Sequence, residues 1–217
     1  MKHLCMDCPG VICYARSELP SLMPNLETLK LSSEYEVVNT PMLPTKFLYL
    51  RHLDIHIMGG NFSLSYDYFS LVSFLDASPS LETLFLHVLQ QNVEYESVIG
   101  GPSHLRQLPD HRHECLKSLE IIGFSYAKAL IELTCYIIQN AVSLERLTLN
   151  TLPDNPRCSG ESNKTCWPIS KPLLEEAFRT LVAVRTYIEG ELPPGAKLTV
   201  VEPCSRCHSV DDGASFK

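Results

Sequence analysis

A chain of 217 residues with 45% hydrophobic side chains is long enough to bury a sizeable core in one domain. Its 18 lysines and arginines against 25 acidic residues give a formal net charge of −7, which excludes broad binding of phosphate backbones. No apolar run reaches the roughly 18–20 residues of a membrane span, and Met1 to Cys13 lacks a secretory signal pattern, so neither nucleic acid nor membrane is an expected partner.

Nine cysteines, an odd number scattered along the chain, read as reduced thiols in the cytoplasm or nucleus. Without a secretion route, the triplets Asn61-Phe62-Ser63 and Asn163-Lys164-Thr165 are chance matches to a glycosylation pattern.

In chain order, Met1 to Met23 reads as the ragged start of an array. Cys8-Pro9-Gly10 is a turn, and Cys13 to Leu19 is a short strand or helical turn before Pro20. The segment lacks the polar outer surface of a capping unit, so more chain is expected before Met1. Leu26-Glu27-Thr28-Leu29-Lys30-Leu31 is the first of five L-x-x-L-x-L frames. A loop from Tyr35 to Phe47 with Pro41 and Pro44 leads to the second, Leu50 to Ile55. Gly59-Gly60 breaks the chain, and Asp67 is placed to cap a helix over Tyr68 to Ala77 that Pro79 ends. The third frame is Leu81 to Leu86, followed by a polar loop, Gln90 to His113, and the fourth frame, Leu116 to Ile121.

Ser125 is placed to cap a helix over Tyr126 to Gln139, with Leu130, Leu133 and Ile137 inward and Asn140 in a left-handed final turn. The fifth frame is Leu144 to Leu149. Thr151 to Pro168 has the composition of a loop. Ser170 starts the longest helix, with Pro172 in its first turn and Glu175 and Glu176 near its positive end. Leu174, Phe178, Leu181 and Ile188 face in, and Gly190 ends it. Pro193-Pro194-Gly195 turns into a last strand, Lys197 to Val201. The domain spans residues 1–208, with a loose tail at 209–217.

The frames begin at Leu26, Leu50, Leu81, Leu116 and Leu144, at intervals of 24, 31, 35 and 28. Such frames are the strands of leucine-rich repeats, which run roughly 20–29 residues and bury their apolar face only by stacking. The expectation is an α/β fold, an irregular leucine-rich repeat solenoid of five to seven strands. Its parallel sheet lies on the concave face and its helices and loops on the convex face. The asparagine that pairs buried turn amides in a regular array is absent: Met58, Leu89, Phe124 and Leu152 stand in its place, so those amides need other partners.

Frame positions 1, 4 and 6 point into the core, and positions 3, 5 and 7 form rows on the concave face. Position 2 alternates in sign: Glu27, Arg51, Glu82, Lys117, Glu145. The expected partner-binding residues are Lys30, His52, Asp54, His56, Thr83, Phe85, His87, Glu120, Arg146, Thr148 and Asn150. Phe85, an aromatic among polar neighbours, has the composition of an interface centre.

His52-x-Asp54-x-His56, with His87 alongside, offers metal-ligand side chains, but neighbours on one strand face diverge, so these read as structural or protein-binding groups. Asp110 to Glu114, with His111 and His113, reads as a solvated loop. Cys204-Ser205-Arg206-Cys207-His208 fits a haem attachment pattern, but no export signal accompanies it. The pairs Cys5/Cys8 and Cys204/Cys207 support the alternative reading, a metal- or redox-dependent protein, yet lie at opposite ends of the stack. The nucleophile elbow, phosphate loop, zinc helix and dinucleotide motifs are all absent, so neither an enzyme nor a cofactor is expected. A polyphosphate receptor would need a basic cluster, and the concave rows offer only Lys30 and Arg146.

Cys8 to Arg16, Tyr66 to Leu84 and Lys197 to His208 resemble the repeat region of plant, especially grass, F-box/leucine-rich repeat proteins of the FBD-type and meiotic F-box group. The likeness covers about residues 8–208. It implies repeats that recruit a protein substrate for a cullin ubiquitin ligase, and it carries no catalytic residues. In that family an N-terminal F-box docks on a Skp-type adaptor. No F-box stands before Met1 here, so contact with the adaptor is not expected.

Overall fold

The computed structural model describes residues 1–37, 39–59, 67–89, 96–99, 104–106, 111–152 and 169–204. Seven strands form one parallel sheet in sequence order: β1 (His3–Asp7), β2 (Thr28–Glu34), β3 (His52–Met58), β4 (Thr83–Leu89), β5 (Ser118–Ile122), β6 (Arg146–Asn150) and β7 (Lys197–Val201). Each of the five frames opens a strand two residues after its first leucine. Thr28, His52, Thr83, Ser118 and Arg146 are register partners in turn, and so are Lys30, Asp54, Phe85, Glu120 and Thr148. Leucines at positions 1, 4 and 6 are buried throughout, from Leu26, Leu29 and Leu31 to Leu144, Leu147 and Leu149.

The first 23 residues are more ordered than their sequence suggests. Met1-Lys2-His3-Leu4-Cys5-Met6 is a frame with methionines in place of its outer leucines, and its His3–Asp7 part pairs as β1. Val11–Leu22 is a full helix, α1, not a short turn. Pro20 lies inside its last turn, where a missing N–H costs the ladder only one bond.

Helices α2 (Val72–Ala77), α3 (Lys128–Asn140) and α4 (Lys171–Tyr187) follow β3, β5 and β6. A 3-10 turn, Tyr68–Leu71, leads into α2. The expected inward residues Leu130, Leu133, Ile137, Leu181 and Ile188 are buried, whereas Leu174 and Phe178 are half-buried. Among the described residues the β2–β3 connection has no helix, in keeping with the shortest frame interval. Phe47 from that connection stacks on Phe74 of α2, ring centroids 6.4 Å apart.

The sequence-assigned caps fail. Asp67 and Ser170 make no side-chain capping bond; Ser125 Oγ accepts from Ala127 N at 3.4 Å, ahead of the helix, and α3 starts at Lys128 rather than Tyr126. Asn140 does not adopt the left-handed conformation; Tyr35 alone among described non-glycine residues does. The helix ends are satisfied from a distance instead. Ile12 N and Cys13 N donate to the buried Glu36 carboxylate at 3.0 and 2.8 Å, setting negative charge at the positive end of α1. Asn140 Oδ1 accepts from His111 N at 3.0 Å, and its carbonyl accepts from His113 N at 2.9 Å. The segments between repeats thus clamp the helices of their neighbours.

The missing asparagine ladder is replaced by main chain. Tyr35 N donates to Met58 O, Gly59 N to Leu89 O, Phe124 N to Asn150 O and Thr151 N to Val201 O, at 2.8–3.1 Å. The hydrogen-bond ladder continues past the strand ends and pairs amides that would otherwise be buried alone. Thr151 to Pro168 is described only for Thr151 and Leu152, and the 209–217 tail lies outside the described residues.

Candidate functional site: the helix-free face of the sheet

Alternation of side chains along the strands divides the sheet into a core face, packed by the helices, and a face carrying frame positions 3, 5 and 7. All eleven predicted binding residues stand in register on the second face. Their exposure differs. Lys30, His52 and Arg146 are exposed; Asp54, His56, Thr83, Phe85, Glu120, Thr148 and Asn150 are half-buried. His87 is only 9% exposed, so it acts beneath the surface rather than as a contact residue.

The centre of this face is a connected group. Lys30 Nζ lies 3.1 Å from Asp54 Oδ2, and Asp54 Oδ1 lies 2.8 Å from His56 Nε2. That last contact is an ion-pair approach without the alignment of a directed hydrogen bond. His56 Nδ1 and His87 Nδ1 are 3.3 Å apart, a distance one shared proton spans. The His56 ring meets Phe85 at 5.6 Å and His87 edge-on at 5.2 Å between centroids. Burial pushes the His56 imidazole below its ordinary pKa; Asp54 opposes this, and Lys30 and His87 add to it. Beside this group, His52 Nδ1 and Thr83 Oγ1 share a 2.8 Å hydrogen bond across β3 and β4.

The flanks are simpler. Asn150 Oδ1 accepts from Leu152 N at 3.1 Å, which fixes its amide. Arg146 lies 3.8 Å from Glu145. Along position 2 the alternating charges meet: Lys2 and Glu27 at 2.7 Å, Arg51 and Glu82 at 3.4 Å, Lys117 and Glu82 at 3.6 Å. Such exposed pairs are worth about 0.2–1 kcal/mol each and set register more than stability.

Where the Asp110–Glu114 stretch is described, His111, Arg112 and Glu114 are exposed, as expected of a solvated loop, but one residue turns inward. His113 is 6% exposed, and His111 Nδ1 pairs with Asp76 Oδ1 at 2.8 Å. Tyr136 OH donates to the same oxygen at 3.3 Å. Burial pulls the His113 imidazole down to about 4, against the opposing effect of Asp76. Spacing gave no hint of this cluster, because its members come from three units of the stack.

A second group missed in sequence is Arg106. Its guanidinium holds Asp67 through two bonds of 2.7 and 2.9 Å and Glu132 through one of 2.7 Å, and it covers the Phe69 ring at 4.6 Å. Asp67 therefore serves as an ion-pair partner instead of a cap. Both clusters tie neighbouring units together on the helical side.

Cys5 and Cys8 are exposed at β1, and Cys204 follows β7 at the opposite edge of the sheet; Cys207 lies outside the described residues. Six strand spacings of about 4.8 Å separate the two edges. Among the described residues, no group of three or more His, Cys, Asp or Glu is arranged to hold a metal, and no helix is long and apolar enough to cross a membrane.

No curated protein and no solved structure matches the chain. The family described as At1g61320/AtMIF1, LRR domain, matches residues 1–205, which takes in all seven strands and four helices. The in-register leucines, the parallel seven-stranded sheet and this match agree: the chain belongs to the At1g61320/AtMIF1 leucine-rich repeat domain family.

Proposed function

We propose that the chain is a non-catalytic interaction module that holds a protein substrate on its helix-free face, as the repeats of plant F-box ubiquitin-ligase subunits do, in the cytoplasm or nucleus. Membership of a leucine-rich repeat family supports the interaction role. The observation that carries the assignment to this face is Phe85, half-buried at its middle and backed by His56. An aromatic held rigid among polar groups gives contact area at little entropic cost, as binding hot spots do. The acidic balance of the chain favours a protein partner over nucleic acid. The ligase connection rests on the resemblance of Cys8 to Arg16, Tyr66 to Leu84 and Lys197 to His208 to that group, and no residue here is assigned to a Skp-type adaptor.

A photo-crosslinking amino acid placed at Phe85 or at Val182, an exposed α4 residue, tests the reading in cell extract. Discrete crosslinks from position 85 and none from 182 are expected. Crosslinks from 182 alone would overturn it.

A further inference from the structure

His56 and His87 are register partners on β3 and β4, and both side chains stand on the helix-free face. His52 and His56 are separated by four residues of β3, or about 13 Å of strand, so they do not meet. Partners on adjacent strands are only about 4.8 Å apart and are able to converge. The rings of His56 and His87 do so: they meet edge to face, with their Nδ1 atoms 3.3 Å apart. Two imidazole nitrogens held at about 2.0–2.1 Å by one tetrahedral zinc ion stand about 3.3 Å from each other. The gap that one proton spans is therefore also the separation of two ligands on one ion.

We propose that His56 Nδ1 and His87 Nδ1 together bind one zinc ion on the helix-free face, with water in its remaining positions. Among the described residues no third His, Cys, Asp or Glu joins the pair, so the ion keeps open positions. Coordination requires both Nδ1 atoms without protons, so each neutral imidazole carries its proton on Nε2. Asp54 Oδ1, 2.8 Å from His56 Nε2, favours that tautomer and orients the ring, as carboxylates behind zinc-bound histidines do. Burial holds the His56 imidazole below its ordinary pKa, so at neutral pH the ring is uncharged and available to a metal. Phe85 packs on the same ring at 5.6 Å. The Lys30 ammonium opposes a cation here, and its 3.1 Å pairing with Asp54 Oδ2 offsets that repulsion. The His56 side chain is 22% exposed, so an ion reaches the pair from the face that carries Phe85.

The test is titration of the 217-residue chain, kept reduced with a phosphine, with zinc chloride at neutral pH. Nine cysteines offer zinc other ligands, so the readout has to be local: the imidazole nitrogens, followed by two-dimensional NMR. The Nδ1 resonances of His56 and His87 should move together, with one shared midpoint. Magnesium chloride, whose ion prefers oxygen ligands, should leave both in place. Asp54→Asn keeps both ligands and removes the carboxylate behind them, so it should raise the zinc midpoint about tenfold or more. His56→Gln should weaken the response of His87 at least as much, because one imidazole alone would then hold the ion. Zinc taken up elsewhere with both imidazoles unmoved, movement of one ring without the other, or an unchanged midpoint in Asp54→Asn would overturn the proposal.

Discussion

The Phe85 ring on β4 leans against the His56 ring on β3 at 5.6 Å, and the far nitrogen of His56 lies 2.8 Å from Asp54. The carboxylate, the imidazole and the aromatic ring come from adjacent strands. Asp54 and His56 stand two residues apart on β3, and bringing Phe85 against them depends on the register of β3 with β4: a slip of one residue along β3 would turn both into the core. The apolar frame thus positions the polar centre.

His56 should titrate below the usual histidine value of about 6.5. Removing the Asp54 charge with Asp54→Asn should lower it further, and Lys30→Ala should raise it. Two-dimensional NMR titration of the imidazole resonances checks both signs. Shifts in the reverse sense would mean that the carboxylate and ammonium do not face this ring.

His113 gives a stability term with the same sign. Its folded-state pKa of about 4 lies below the ordinary 6.5, so the unfolded chain takes up the proton more readily. The contribution is complete above pH 6.5 and is lost as pH falls from there to about 4. A difference of this size corresponds to roughly 2–4 kcal/mol. Urea midpoints should drop across that window for the wild type and drop less for His113→Phe.

The architecture was legible in the sequence where the signal was local and periodic. Five leucine frames gave five strands in the register observed, because burial of positions 1, 4 and 6 leaves no other alignment. β1 escaped notice because Met1 and Met6 stand where leucines were sought, and α1 because Pro20 read as a stop. The caps were misread for a physical reason. Ser125 and Ser170 are good local cap residues, but here the polar partners come from distant segments, as Glu36 does for α1. Non-local partners leave no spacing to read. His87 is the corresponding case at the binding face: alternation gives its side but not its depth.

Arg106→Met should destabilise the fold by about 2–3 kcal/mol, because Glu132 is fully buried and would lose its counter-charge. The cost falls below that of a fully buried pair because the Arg106 side chain is 46% exposed. Adding Glu132→Gln should recover part of the loss, since no buried charge would then be stranded. Chemical denaturation of the single and double variants measures this coupling.

Gly123 combines a φ of +74° with a backbone contact that leaves no room for a side chain. A Cβ there would overlap the Val88 carbonyl oxygen of the neighbouring strand. Gly123→Ala should therefore lower the thermal midpoint more than Gly190→Ala, where a Cβ meets nothing and φ is ordinary. Equal effects would contradict the close approach between these units.

The most direct measurement is calorimetric titration of a partner recovered with the wild-type chain against wild type, Phe85→Ala and Val182→Glu. The account predicts affinity at least tenfold weaker for Phe85→Ala, as for the truncation of an interface hot spot. It predicts no change for Val182→Glu on the helical side. Full affinity in Phe85→Ala with loss in Val182→Glu would place recognition on the helices and contradict the assignment.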